Sequence, residues 1–256
     1  MKFDVVVGNP PYNKGNSALW KKFATKSITM GNIIGLVTPR NIVNGRITTN
    51  GPDGGFFEDI KHNLSYINYA ADNYFSVGKK ICAWVYNHND TLTTSIITSN
   101  SVKLHTNIAN FYYLPYNFTS VLDFEIFTKL QPHETMCSFK NATYRPSGNY
   151  LVIPQIKHIS LKYVSVVKDL DKDTRKFSSE LVLYSLRDDE VLGCASYIAS
   201  RIYKFTFELY GGSDVRAGIF KRIPKIDFTK IWTDDELYKH FNLTQEEIDY
   251  VESKTK

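Results

Sequence analysis

The chain is poor in the residues that build disulfide frameworks and metal sites. Cys82, Cys137 and Cys194 are odd in number, far apart and without metal-type spacing, so they read as reduced thiols of a cytoplasmic protein. The six histidines form no H-x-x-x-H or similar pair, which argues against a zinc site. No apolar run approaches the ~20 residues needed to cross a bilayer, and no secretory-type signal opens the chain. Repeats and low-complexity tracts are also lacking.

Aromatic residues are plentiful, with 17 Tyr and 16 Phe among 256 residues. Such residues fill cores and interfaces, so their abundance alone identifies no ligand. The formal charge of +5 suits a phosphate-bearing partner but is mild. The length fits one large domain or two small ones.

The first hundred residues alternate strand and helix patterns. "FDVVVGN" reads as a buried-type strand from Phe3 to Val7. "SALWKKFATKSITM" reads as a helix, with Leu19, Trp20, Phe23 and Ile28 inward and Lys21, Lys22 and Lys26 outward. "GNIIGLVTPRN" supplies a second buried strand, Ile33 to Thr38, stopped by Pro39. "FFEDIKHNL" is again helical. "SYINYAADNYF" and "KICAWVYNH" read as two strands joined by a turn. That order predicts an α/β sheet ending in an antiparallel pair.

From about Thr106 to Pro224 the pattern is irregular, aromatic and basic, and an α+β region is expected. In the tail, Thr233 with Glu236 and Thr244 with Glu247 each spell a capping box, predicting two short helices packed through Leu237, Phe241, Leu243, Ile248 and Val251.

The segment with the most chemical content follows the first strand: Asn9-Pro10-Pro11-Tyr12. At the carboxyl end of a parallel strand, where α/β sheets place ligands, Asn9 offers an amide oxygen as acceptor. Pro10 offers a carbonyl, directed by the fixed φ angles of Pro10 and Pro11. Two acceptors without an acid suit an amino group that must be oriented, and Tyr12 adds a flat face for a planar substrate. An aromatic amine such as N6 of adenine has this need, because its lone pair is delocalised into the ring. Two hydrogen bonds from the amine localise that pair toward an electrophile. The plainer alternative is a turn after a strand.

"FDVVVGNPPY" resembles the catalytic motif of amino-methyltransferases that use S-adenosylmethionine, above all N6-adenine DNA methyltransferases of restriction–modification systems. "GNIIGLVTPRN", "NYFSVGKKICAWVYNH" and "WTDDELYKHFNLTQEEIDYVE" resemble later segments of the same family. The resemblance covers most of residues 1–98 and 226–252. It implies the C-terminal half of a Rossmann-like methyltransferase sheet (1–98), an α+β target-recognition region (99–225) and a short helical tail (226–256). It implies catalytic roles for Asn9, Pro10, Pro11 and Tyr12. Phe75 matches the aromatic that stacks on a flipped adenine, or is an ordinary core aromatic. Lys79 and Lys80 are candidates for phosphate contact, or lie in a solvated turn. Arg201, Lys204, Arg216, Lys221 and Arg222 are the candidate DNA contacts of the basic region, each otherwise a surface charge.

The family binds its methyl donor on a glycine-rich loop upstream of the catalytic motif, and no such segment precedes Asn9. "ELYGGSDVRAG" has Gly211, Gly212 and Gly218 but no preceding buried strand with an acidic–x–glycine turn, and reads as a loop. The donor-binding half is therefore expected to come from elsewhere. Without it the strand before Asn9 becomes an exposed apolar edge. A second polypeptide, self-association or a local rearrangement is then expected to cover it. The readings of function are DNA adenine N6-methylation assisted by a second chain, a DNA-binding remnant that transfers nothing, and methylation of protein glutamine or RNA amines.

Overall fold

The computed structural model describes residues 2–13, 18–43, 47–48, 51–52, 55–75, 80–89, 93–111, 113–131, 136, 140–141, 149–154, 165–167, 181–210, 220 and 222–256. The chain divides into two compact units, residues 1–46 with 52–124 and residues 47–51 with 125–256.

The first unit begins with β1 (Phe3–Gly8), α1 (Leu19–Met30) and β2 (Gly31–Pro39). After two-residue strands β3 (Ile47–Thr48) and β4 (Gly51–Pro52) come α2 (Phe56–Ile60), β5 (Leu64–Asn68), β6 (Ile81–Asn87), β7 (Thr94–Ile97) and β8 (Lys103–Thr106). The main sheet has the order β1-β2-β6-β5-β7-β8. β1 and β2 run parallel, while β6 is antiparallel to both of its neighbours, β2 and β5. The sheet is mixed, as expected of an α/β unit. It also extends beyond residue 98, because β7 pairs parallel with β5 and turns back through β8.

Alternation along the strands sorts side chains to two faces. Ile34, Leu36, Cys82, Trp84, Ile67 and Ile96 are buried on one face. Trp20 of α1 meets Phe56 of α2 edge-on at 5.6 Å between ring centroids, and Phe56 meets Trp84 at 6.1 Å. The Trp84 indole N–H donates to Thr38 Oγ1 at 3.0 Å, tying β6 to β2. On the opposite face Phe3, Val5, Val7 and Ile33 are exposed, and Gly35, Val37, Val85 and Tyr66 are half-buried.

Several local expectations need correction. β1 is a strand as the pattern predicts but not a buried one, with Val7 76% exposed; among the described residues it forms a sheet edge, the position expected of it without flanking donor-half strands. Helix α1 buries Trp20 and Ala24, whereas Phe23 is exposed, because a stripe through positions 20 and 24 faces the sheet. The pattern "SYINYAADNYF" is strand only to Asn68. The Asn68 side chain then accepts the Ala70 N–H at 2.8 Å and starts a 3-10 turn over Tyr69–Tyr74. This local side-chain bond competes with continuation of the strand.

The second unit contains a four-stranded sheet of order β11-β10-β12-β9, formed by β9 (Lys140–Asn141), β10 (Asn149–Pro154), β11 (Ser165–Val167) and β12 (Leu181–Leu186). Its helices are α4 (Val191–Ala199), α5 (Arg201–Leu209), α6 (Asp234–His240) and α7 (Gln245–Lys254), with α3 (Val121–Lys129) leading into the unit. The expected mixture of α and β is present. Both tail capping boxes form, at Thr233/Glu236 and Thr244/Glu247. Leu237 and Val251 are buried as read, joined by Tyr238 and Glu247, while Phe241, Leu243 and Ile248 are half-buried. The Lys129 ammonium donates to Glu247 at 2.6 Å and to the Asn242 carbonyl at 2.9 Å, so the cap carboxylate also anchors α3. Among the described residues no helix is long and apolar enough to cross a membrane.

Candidate amine-binding site

Sheet topology brings the site together. The carboxyl ends of β1, β2 and β5 and the start of β6 lie at one end of the sheet, as the pairs Gly8 with Leu36, Pro39 with Ile81 and Asn68 with Ala83 require. Asn9 to Tyr12, Arg40, the turn Tyr69–Tyr74 with Phe75, and Lys80 all leave strands there.

Within the motif Pro10 is buried, Asn9 and Pro11 are exposed and Tyr12 is half-buried. The Tyr12 carbonyl accepts the Trp20 N–H at 3.3 Å, which satisfies an otherwise orphaned donor of the first turn of α1. The loop is thereby tied at both ends, to β1 and to α1. Burial raises the Tyr12 phenol above its ordinary value, the nearby Asn9 carboxamide pulls it down, and Cys82 and Asp72 push it further up. The net direction is upward, so the phenol stays neutral at physiological pH. The exposed Asn9 carries an amide oxygen able to accept from an incoming amine.

The same end of the sheet holds a buried guanidinium. Arg40, 2% exposed, donates from Nε to the Ile81 carbonyl at 3.0 Å and from Nη1 to the Tyr116 carbonyl at 3.3 Å. Its Nη2 reaches the Tyr69 carbonyl and Asp72 Oδ2, each at 2.7 Å, and Ser99 Oγ at 3.1 Å. Asp72 Oδ1 also accepts the Ile81 N–H at 2.6 Å, and Lys80 Nζ lies 3.6 Å from Oδ2. Tyr116 belongs to the same cluster: burial raises its phenol, Arg40 lowers it, and Asp72 and Cys82 raise it. Burial holds the Cys82 thiol up at about 12, so it remains protonated and unreactive.

Sequence reasoning brought forward Asn9 to Tyr12, Phe75 and Lys80 but missed Arg40, Asp72 and Tyr116. The available signal was Pro39-Arg40, a cation placed directly after a buried strand, with an acid in the turn after another strand. Phe75 is 38% exposed and Tyr74 78%, so neither is an ordinary core aromatic. Lys79 lies outside the described residues.

In the second unit, Arg201 is held by Asp234, which accepts its backbone N–H at 2.8 Å and lies 3.6 Å from Nε. Lys204 donates to the Thr255 and Lys256 carbonyls at 2.7 and 3.3 Å. The Arg222 guanidinium lies 5.8 Å from the centre of the Tyr210 ring. Arg216 and Lys221 fall outside the described residues, as does Gly211 to Gly218.

No strand among the described residues ends in an acidic–x–glycine turn; β1, which ends at Gly8, runs into Asn9-Pro10. No group of three or more His, Cys, Asp or Glu among them could hold a metal ion. Compared with known proteins, the chain matches no family model and no curated protein.

Proposed function

We propose that the chain carries the amine-gripping and target-recognition portions of a DNA adenine N6-methyltransferase that uses S-adenosylmethionine, with the donor site supplied by a second polypeptide. The observation that supports this most is the position of Asn9-Pro10-Pro11-Tyr12. It caps the carboxyl end of a parallel strand, on the sheet end shared with Phe75 and Lys80.

In this reading the Asn9 amide oxygen and the Pro10 carbonyl accept the two N–H bonds of the target amine. Tyr12 and Phe75 face the base, which must leave the duplex to reach them. No carboxylate is asked to act as a base, since the reacting nitrogen sheds its proton after its lone pair has been used. S-adenosylmethionine held on the second chain would supply the methyl group. The open edge of β1, with Phe3, Val5 and Val7 exposed, is the surface on which a second chain completes the sheet.

The test is N6-methyladenine content in host cells devoid of adenine methylation that express the chain with its neighbouring reading frames. Wild type is expected to introduce N6-methyladenine, and Asn9→Ala to abolish it while retaining DNA binding. Equal methylation by both would remove Asn9 from the mechanism. DNA binding without methylation in either would favour the second reading, a recognition module that transfers nothing.

A further inference from the structure

We propose that Arg40 and Asp72 are positioning residues that hold Tyr74, Phe75 and Lys80 in place as the second wall of a nucleobase site opposite Asn9 and Tyr12. The proposal rests on the reading of Asn9 to Tyr12 as a grip for an adenine amine and adds Tyr74 to the residues that meet the nucleic acid.

Asp72 ends the anchored part of the turn and Ile81 begins β6, and the Asp72 carboxylate spans them by accepting the Ile81 N–H at 2.6 Å. Arg40 reinforces the closure from β2: its N–H donates to the Lys80 carbonyl at 3.0 Å and its side chain to the Ile81 and Tyr69 carbonyls. Residues 69, 72, 81, 99 and 116 are thus bound to one planar fork. A buried ion pair is an inefficient source of stability, because desolvation offsets most of the attraction. What this pair provides is geometry, since a guanidinium with this many directed bonds admits little movement of the segments it joins.

The residues beyond the staple bear the marks of a binding wall. Tyr74 and Phe75 are held out of the core, 78% and 38% exposed, directly after the anchoring Asp72. Lys80, 60% exposed, stands directly before β6. Exposed aromatic faces beside a cation suit a single-stranded or extruded base with its phosphate: the rings stack and the ammonium neutralises. The Asp72 carboxylate also acts on the Tyr12 phenol, which brings the staple and the Asn9 loop into one electrostatic neighbourhood.

The experiment uses the full chain and a single-stranded 12-mer containing 2-aminopurine, whose fluorescence falls on stacking. Amide exchange at Ile81 and melting temperature are read in parallel. Wild type is expected to quench the probe saturably. Phe75→Leu and Tyr74→Leu, at exposed positions, should each weaken the quenching complex about tenfold. Asp72→Asn, nearly isosteric, should accelerate Ile81 exchange at least about tenfold and lose quenching to a similar degree. Arg40→Lys, which keeps the charge but not the fork, should behave like Asp72→Asn.

Faster Ile81 exchange in Asp72→Asn with wild-type quenching and affinity would make the pair structural only and overturn the proposal. Should Asp72→Asn fail to fold, undiminished quenching by the Tyr74→Leu, Phe75→Leu double variant overturns it equally. Adenine preference over purine reports on Asn9 separately. Loss of that preference with intact, Asp72-dependent quenching would sink the methyltransferase reading and leave this one standing.

Discussion

Asn9 and Arg40 show how differently two polar residues are used at one sheet end. Asn9 is exposed near the Tyr12 phenol, while Arg40 is buried and donates from all three guanidinium nitrogens. Arg40→Ala would leave Asp72 and three carbonyls without their donor, and a loss of about 3 kcal/mol is expected from equilibrium unfolding. In the second unit the most constrained position is Gly193 of α4. A methyl group there would sit 2.0 Å from the Phe228 carbonyl oxygen and 2.3 Å from that of Lys230. Both obstacles are backbone, so no rotamer change can relieve them. Gly193→Ala should destabilise by about 3 kcal/mol, read as a lowered melting temperature. A wild-type melting temperature in that variant would mean that α4 does not approach residues 228–230 as described.

At the scale of elements, the tail helices depend on their caps. Glu236 is held down to about 2, first by its Lys230 hydrogen bond and then by the Thr233 N–H and hydroxyl. A carboxyl whose folded value lies below its ordinary 4.5 contributes stability above that ordinary value and loses it as the pH falls toward about 2. Carboxyl chemical shifts followed from pH 6 to about pH 2 should show Glu236 titrating well below its ordinary 4.5. An ordinary titration would indicate that the Lys230 and Thr233 contacts are not maintained in solution. Thr244→Ala should cost about 1 kcal/mol, because the Glu247 N–H loses its acceptor.

These caps were legible because a capping box is a local code of residue types at fixed spacing. The same holds for Asn9-Pro10 after a strand. The staple was less legible because Arg40 and Asp72 stand 32 residues apart and meet only through the pairing of β2, β6 and β5. Phe23 misled the helix reading because aromatic content outweighed angular position. The end of "SYINYAADNYF" misled because Asn68 diverts the backbone into a 3-10 turn. β7 escaped notice because "TTSIITSNS" is short and rich in threonine and serine, a composition shared by loops and strands.

At the scale of the whole molecule, the open edge and face of the main sheet set the terms for function. Phe3, Val5 and Val7 are apolar, aligned and exposed on β1, which pairs only with β2 among the described residues. Parallel strands are ordinarily covered on both faces. Val5→Asp with Val7→Asp should therefore weaken association with a completing chain, or with a second copy, by at least about tenfold while leaving the melting temperature near wild type. Sedimentation measures the association; unaltered assembly would place the partner elsewhere.

The proposed function depends on one contact, that between Asn9 and an exocyclic amine. Its most direct test compares binding of two short single-stranded oligonucleotides that differ only in carrying adenine or purine, which lacks the 6-amino group. Wild type should prefer adenine about tenfold, and Asn9→Ala should bind both alike. Equal binding of the two by wild type would contradict the claim that this loop holds an amino group.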